Sequence, residues 1–318
     1  MRRPAALVAY ASQQVHDSVA RALEIVGLGS SSLHVVPVNQ QFAIDVSALE
    51  MAIAADRSAG REPFCVIRSA GAVNTGAIDN LDRLAAVCSR EKLWFHVDGA
   101  FGAMCILSEA LRHRLKGIER ADSIAFDFHK WAHVQYGAAA ILVRDARIHR
   151  ASFSMQPDYL RHYGRGLAGG GDWPCDFGPE LSRSFLALKI WFAFKEHGAR
   201  QIGRIIEQNC AQARYLADRI MTEPGLQLVV PALLNIVCFR VLSPNLDASA
   251  LDKLNADIVA NVQEGGRAAS STTKIDGRTV IRVNITNHRT RFSDMDVLLD
   301  AVLRAARART LQNSEASR

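Results

Sequence analysis

Long apolar runs are missing from this 318-residue chain, and none approaches the roughly 20 residues that a membrane-spanning helix requires. Cysteine is sparse, six residues at 65, 88, 105, 175, 210 and 238, with no C-x-x-C pair and none of the density of a secreted disulfide scaffold. That usage fits a reducing, cytoplasmic setting. Aromatic residues make up only 7% and are not interleaved with a basic patch, which argues against nucleic acid as a partner. The formal charge of +6 is spread along the chain, with some concentration at Arg304, Arg307, Arg309 and Arg318. Internal repeats and low-complexity tracts are absent. The opening "MRRPAALVAYASQQ" imitates a signal peptide weakly, but its apolar stretch is short and reads as a buried strand.

What is present is a rhythm. Leu7 to Ala11 reads as a strand and Val15 to Val26 as a helix closed by Gly27, with "LHVVPV" the next strand. Helix Val46 to Ala59 precedes "FCVIRSA", helix Leu81 to Arg90 precedes "LWFHVDGAF", and a helical Leu107 to Gly117 leads to "SIAFDF". Alternation of this kind predicts an α/β fold whose mostly parallel sheet is covered by helices. Such sheets bind ligands at the carboxyl ends of their strands. After Val143 the rhythm stops. Residues 152 to 180 carry Pro157, "GRGLAGGG", Pro174 and Pro179, the composition of a functional loop. Leu181 to His197 is apolar nearly all round and predicts a buried helix. A long helix near Ile202 to Met221, strand "NIVCFRVL", helix Ala248 to Val262, strand "TVIRVNIT" and a helix from Asp294 then predict a smaller α+β unit. The expected division is a large domain over 1–200 and a small C-terminal domain over 201–318.

The chemistry-bearing residues gather at strand ends: His16 after the first strand, Asn74 and Thr75 after "VIRSAGAV", Asp98 after "WFHV", and Asp127, His129 and Lys130 after "SIAF". A lysine between two strands is ordinarily a solvated turn residue. This turn lacks Asn-Gly or Pro punctuation and is flanked by bulky aromatics, which predicts a walled site where a desolvated lysine can attack a carbonyl. An acid at one buried strand end and a lysine at the next suit pyridoxal phosphate, whose aldehyde needs an amine and whose ring nitrogen needs a carboxylate. Each signal alone has a commonplace alternative, since Asp98-Gly99 also reads as a tight turn and a lone histidine as a packed core residue.

The ordered segments "YASQQVHDSVARALEIVGLG", "AGAVNTGAIDNL", "HVDGAFGAM", "ADSIAFDFHKW", "MQPDYL", "PELSRSFLALKIWFAFKEHG", "NIVCFRV" and "IRVNITNHRT" resemble the group II pyridoxal phosphate decarboxylases, which include aromatic-L-amino-acid and glutamate decarboxylases. The resemblance covers nearly the whole chain and implies a fold type I architecture, a homodimer, and release of carbon dioxide from an L-amino acid. It makes Lys130 the lysine that bonds the cofactor aldehyde, Asp98 the partner of the ring nitrogen, His16 the imidazole stacked on the ring, and Ala100 the residue against the opposite face. Asp127 stands where the family has Asn or Asp near the phosphate, His129 precedes the lysine as expected of a cofactor-binding residue, and Asn74 is a further cofactor contact. Tyr159, in "QPDYL", falls where family enzymes protonate the substrate carbon after carbon dioxide leaves.

Departures from the family pattern are Val73, where many relatives carry threonine, Gly137 in place of an acidic residue, and Gln135 in place of Asn or Pro. Relatives also carry, before the "YAS" strand, dimer-clasping helices and a phosphate-holding loop for which this chain has only six residues. The expectation is therefore a chain short at its front. The alternatives are a non-catalytic remnant or the partner subunit of a split enzyme, and a pyridoxal phosphate-dependent oxidative deaminase or aminotransferase. Gly99 and Phe101 suit an aromatic or aliphatic substrate, with an aromatic amino acid preferred. No metal is expected, and no membrane partner.

Overall fold

In the computed structural model, residues 6–154, 164–166 and 169–316 are described. The elements follow the order β1 (Leu7–Ser12), α1 (Ser18–Ile25), β2 (Leu33–Val36), α2 (Val46–Ser58), β3 (Glu62–Ser69), α3 (Leu81–Glu91), β4 (Trp94–Asp98), β5 (Ser123–Asp127) and β6 (Ala139–Val143). They continue with α4 (Ala146–Phe153), α5 (Leu186–His197), α6 (Ala199–Thr222), β7 (Leu226–Val230), β8 (Ile236–Val241), α7 (Ala248–Glu264), β9 (Ser271–Ile275), β10 (Arg278–Asn284) and α8 (Phe292–Ala316). The first six strands form one sheet in the order β2-β1-β3-β4-β5-β6, parallel except for β6, which runs against β5. The last four form an antiparallel sheet in the order β7-β8-β10-β9.

Alternation places the core. On one side of the large sheet Tyr10, Val66, Phe95 and Val97 are buried with Leu49 and Ile53 of α2, Leu84 of α3 and Ile206 of α6. On the other side Ala9, Cys65, Ile67 and Trp94 meet Leu23 of α1. The helices begin where short polar side chains cap them. Asp45 accepts from the backbone N–H of Ser47 and Ala48, and Asn80 accepts from that of Arg83. The small sheet has its own core, in which Val237, Phe239 and Ile281 pack with Leu216, Ile258 and Val302.

Two expectations change. Leu107 to Gly117 is no α-helix but short 3-10 turns, including Gly102–Leu107 and Arg112–Leu115. Its leucines at positions 107, 111 and 115 have helical spacing, yet α6 takes over the segment. The Ser108 hydroxyl donates to Glu207 (2.6 Å) and accepts from the Leu111 N–H (3.0 Å). A Cβ on Gly203 would lie 2.2 Å from the Leu107 carbonyl oxygen, so only glycine allows this approach. The second change concerns α5, whose surroundings expose Phe185 by 73%, Trp191 by 55% and Phe192 by 58%. An all-round apolar helix was expected to be buried; within this chain it is not. The sequence also missed β7 and β9, the two edge strands of the small sheet.

Candidate functional site

The carboxyl ends of the parallel strands open into a cavity of about 790 Å³. His16 follows β1, Ser69 ends β3, Asp98 ends β4, and Asp127, His129 and Lys130 end or follow β5; Arg282, Asn284 and Thr286 close the cavity from the small-sheet side. The tight turn after β4 depends on Gly99, where a Cβ would sit 2.5 Å from that of Ala103, and it brings Ala100 to the cavity wall. The same turn satisfies Asp98, which accepts from the Ala100 N–H at 3.0 Å.

Lys130 forms an ion pair with Asp127, Nζ to Oδ2 at 2.7 Å. Its side chain is 44% exposed, so the lysine keeps water contact instead of being desolvated as expected. Trp131, the flanking aromatic, is fully buried and donates to Asn209 at 3.0 Å, away from the lysine. His16 is exposed at the rim. Its Nδ1 accepts from the Ser18 N–H at 3.1 Å and meets the Ser18 hydroxyl at 2.8 Å, leaving Nε2 without a partner among the described residues. His129 is half-buried and its Nδ1 is bound to the backbone of Ala138.

Asn74 departs from the expectation. Its side-chain oxygen accepts from Thr273 at 2.8 Å, its carbonyl accepts from the Cys238 thiol, and it does not line the cavity. The turn after β3 is committed to the small sheet, which occupies the polar group that was expected to meet a cofactor. Tyr159 lies outside the described residues.

Two ionisable cavity residues, Arg282 and His96, escaped the sequence reading. Arg282, on β10, donates through Nε and one terminal nitrogen to the Val73 carbonyl, and burial pushes its pKa down against a smaller opposing effect of Cys238. An arginine inside the apolar run "TVIRVNIT" was the available signal. His96 lines the cavity two residues before Asp98 on the same face of β4, and burial lowers its pKa despite the nearby Asp98 carboxylate. Its position was legible in "WFHVD", but its partner, Ser123 on the next strand, was not.

These residues suit pyridoxal phosphate. An amine and a carboxylate stand at the ends of adjacent strands, an imidazole with one free nitrogen stands at the rim, and Ala100 offers only a methyl beside the carboxylate. Among the described residues no cluster of side chains is suited to a metal ion.

A family model described as the pyridoxal-dependent decarboxylase conserved domain matches residues 2–242. The chain is 36% identical over 289 residues to an aromatic-L-amino-acid decarboxylase of Bacillus atrophaeus, a match covering 91% of this chain and 60% of that protein. The glutamate decarboxylase domain of a diaminobutyrate-pyruvate transaminase and L-2,4-diaminobutyrate decarboxylase from Vibrio parahaemolyticus superposes with a TM-score of 0.80 at 30% identity, over 95% of this chain and 59% of the other. The fold of a tryptophan decarboxylase from Oryza sativa, solved with pyridoxal phosphate and tryptamine, superposes with a TM-score of 0.89 at 24% identity, over 95% and 63% respectively. This chain thus spans about three fifths of the length of such relatives. On the match through its large sheet and into β8, the chain belongs to the pyridoxal-dependent decarboxylase family.

Proposed function

We propose that this chain is a pyridoxal phosphate-dependent carboxy-lyase that removes carbon dioxide from an L-amino acid, an aromatic one by preference, to give an amine. The observation that carries the reading is the placement of Asp98 and Lys130 at the ends of neighbouring parallel strands in one cavity. When bound, pyridoxal phosphate supplies an aldehyde for the amines and a ring that accepts the electron pair left by carbon dioxide.

The chain's own residues then divide the work. Lys130 is the amine for the aldehyde, and Asp127 holds its ammonium in place until then. Asp98, with one oxygen already fixed by the Ala100 N–H, offers its other oxygen to the ring nitrogen. His16 and Ala100 would hold the ring between them, and His129 would be a further contact for the cofactor. Arg282 reaches the cavity from β10 and is placed to receive the substrate carboxylate. Tyr159 returns a proton to the substrate carbon. Phe101 and Phe126 supply an apolar wall for an aromatic side chain, and the Bacillus atrophaeus relative bears that substrate class in its name. A homodimer is supported by the apolar surface of α5 together with Ile141 and Leu142 of β6, which are 52% and 58% exposed. A cytoplasmic setting is supported by six free cysteines.

The test is an absorbance titration with pyridoxal phosphate, followed by borohydride reduction and mass spectrometry. The expected result is a saturable band and an adduct on Lys130, with amine released from aromatic amino acids. Lys130→Ala should abolish band and adduct while leaving the thermal melt in place. A band that persists in Lys130→Ala overturns the assignment.

A further inference from the structure

Trp94, His96 and Asp98 project from one face of β4, and Ser123 is the cross-strand neighbour of His96 on β5. The Trp94 indole N–H donates to the Ser123 hydroxyl oxygen at 2.8 Å, and the same oxygen lies 2.7 Å from His96 Nδ1. Indole nitrogen only donates, and a hydroxyl has one hydrogen to give. Ser123 is buried, and its hydroxyl has no other acceptor among the described residues. The arrangement that leaves no buried group unpaired is Trp94 N–H to Ser123 oxygen, then Ser123 O–H to His96 Nδ1. The ring hydrogen of His96 is thereby assigned to Nε2, which has no partner among the described residues.

We propose that Trp94 and Ser123 form a fixed donor relay that holds His96 as the neutral Nε2–H tautomer, making His96 a positioning residue that keeps the Asp98 carboxylate free for the cofactor's ring nitrogen. A second proton on His96 would have to displace the Ser123 hydrogen bond, and the resulting imidazolium would compete with the ring nitrogen for the same carboxylate. Burial of His96 works in the same direction. The charged and titratable groups sharing the cavity are Asp98 on the same strand, Asp127, His129 and Lys130 around the end of β5, His16 after β1 and Arg282 on β10. The inference rests on the proposed role of Asp98.

The experiment has two arms. In the first, ring ¹⁵N shifts of the cofactor-free protein, with His96 identified from its absence in His96→Gln, should report a proton on Nε2 and none on Nδ1 from pH 8 to pH 6. Ser123→Ala, which removes the hydroxyl that donates to Nδ1, should let His96 take its second proton within that range. In the second arm, pyridoxal phosphate is titrated at pH 8 and pH 6. Relative to wild type, Ser123→Ala should lose about tenfold more affinity at the lower pH, the equivalent of one unit of pKa. Adding His96→Gln should return that ratio to the wild-type value, because glutamine cannot be protonated. A wild-type His96 that is charged at pH 7 or carries its proton on Nδ1 overturns the relay. An unchanged pH ratio in Ser123→Ala overturns the positioning role alone. No saturable band or Lys130 adduct in wild type, with the ¹⁵N result intact, overturns the cofactor reading and the role of His96 with it, while the relay stands.

Discussion

Strand β4 turns Phe95 and Val97 to one side, where they are 1% and 0% exposed among the helices, and Trp94, His96 and Asp98 to the other. Five consecutive residues therefore serve two environments. The inner row holds the sheet by excluding water, and the outer row carries hydrogen-bonding groups whose cost is met by partners such as Ser123 and the Ala100 N–H. Period-2 alternation separates stability from chemistry within a single strand. The separation can be broken from either side, and the two sides should respond to different measurements.

The largest effect should come from the inner row. Phe95→Ala removes a fully buried ring and leaves a cavity against α2 and α3, at an expected cost of about 3–5 kcal/mol in urea unfolding. Any variant population that stays folded should retain the Asp98 and Lys130 geometry, and hence a cofactor band at saturating pyridoxal phosphate. Loss of binding in a demonstrably folded fraction would show that the two faces are coupled.

The outer row should give the opposite result. Asp98→Asn removes a charge from a half-buried strand end and keeps an oxygen for the Ala100 N–H, so the unfolding midpoint should hardly move. Pyridoxal phosphate affinity should fall by about 10- to 100-fold, the worth of a charge-assisted hydrogen bond of about 1.5–3 kcal/mol. Absorbance titration beside a thermal melt checks both halves. An affinity unchanged from wild type would remove Asp98 from the site.

This division also explains what the sequence disclosed. The parallel rhythm was legible because each strand of the large sheet is a short apolar run bounded by a capped helix, as at Asp45 and Asn80. Asp98 and Lys130 were legible because strand ends need no tertiary information to be located. Arg282 and the partnership of His96 with Ser123 were not, because they depend on which strands become neighbours. Edge strand β9 was hidden for another reason: "STTKI" is polar on a half-exposed edge and lacks the buried run that marked the central strands. The misjudged burial of α5 has a similar cause. A helix apolar on all sides announces that it needs covering, and its periodicity does not say whether its own chain supplies the cover.

The smallest predicted effect lies at an inner-row residue that carries a polar atom. Tyr10 is fully buried among the apolar side chains, yet its hydroxyl donates to Asp56 at 2.7 Å, and Asp56 is also bound by His34 and Arg61. Burial pushes the Asp56 carboxyl up, but hydrogen bonds from Tyr10 and His34 outweigh it and hold it below the usual carboxylate range. Burial, with the same hydrogen bond, raises the Tyr10 hydroxyl. Tyr10→Phe keeps the ring and removes the donor, so about 1 kcal/mol of stability should be lost at pH 7 with cofactor binding untouched. The sign with pH follows from linkage. A depressed carboxyl contributes stability above its unfolded value, near pH 4, and that contribution fades as pH falls through the still lower folded value. Removing the Tyr10 donor moves the folded value upward, so the gap between wild type and Tyr10→Phe should be full at pH 7 and close on acidification below about pH 4. Urea unfolding across that range checks it. A gap that stays constant into acid would mean that the hydroxyl contributes through packing alone, and that even the polar atom of the inner row belongs to the core.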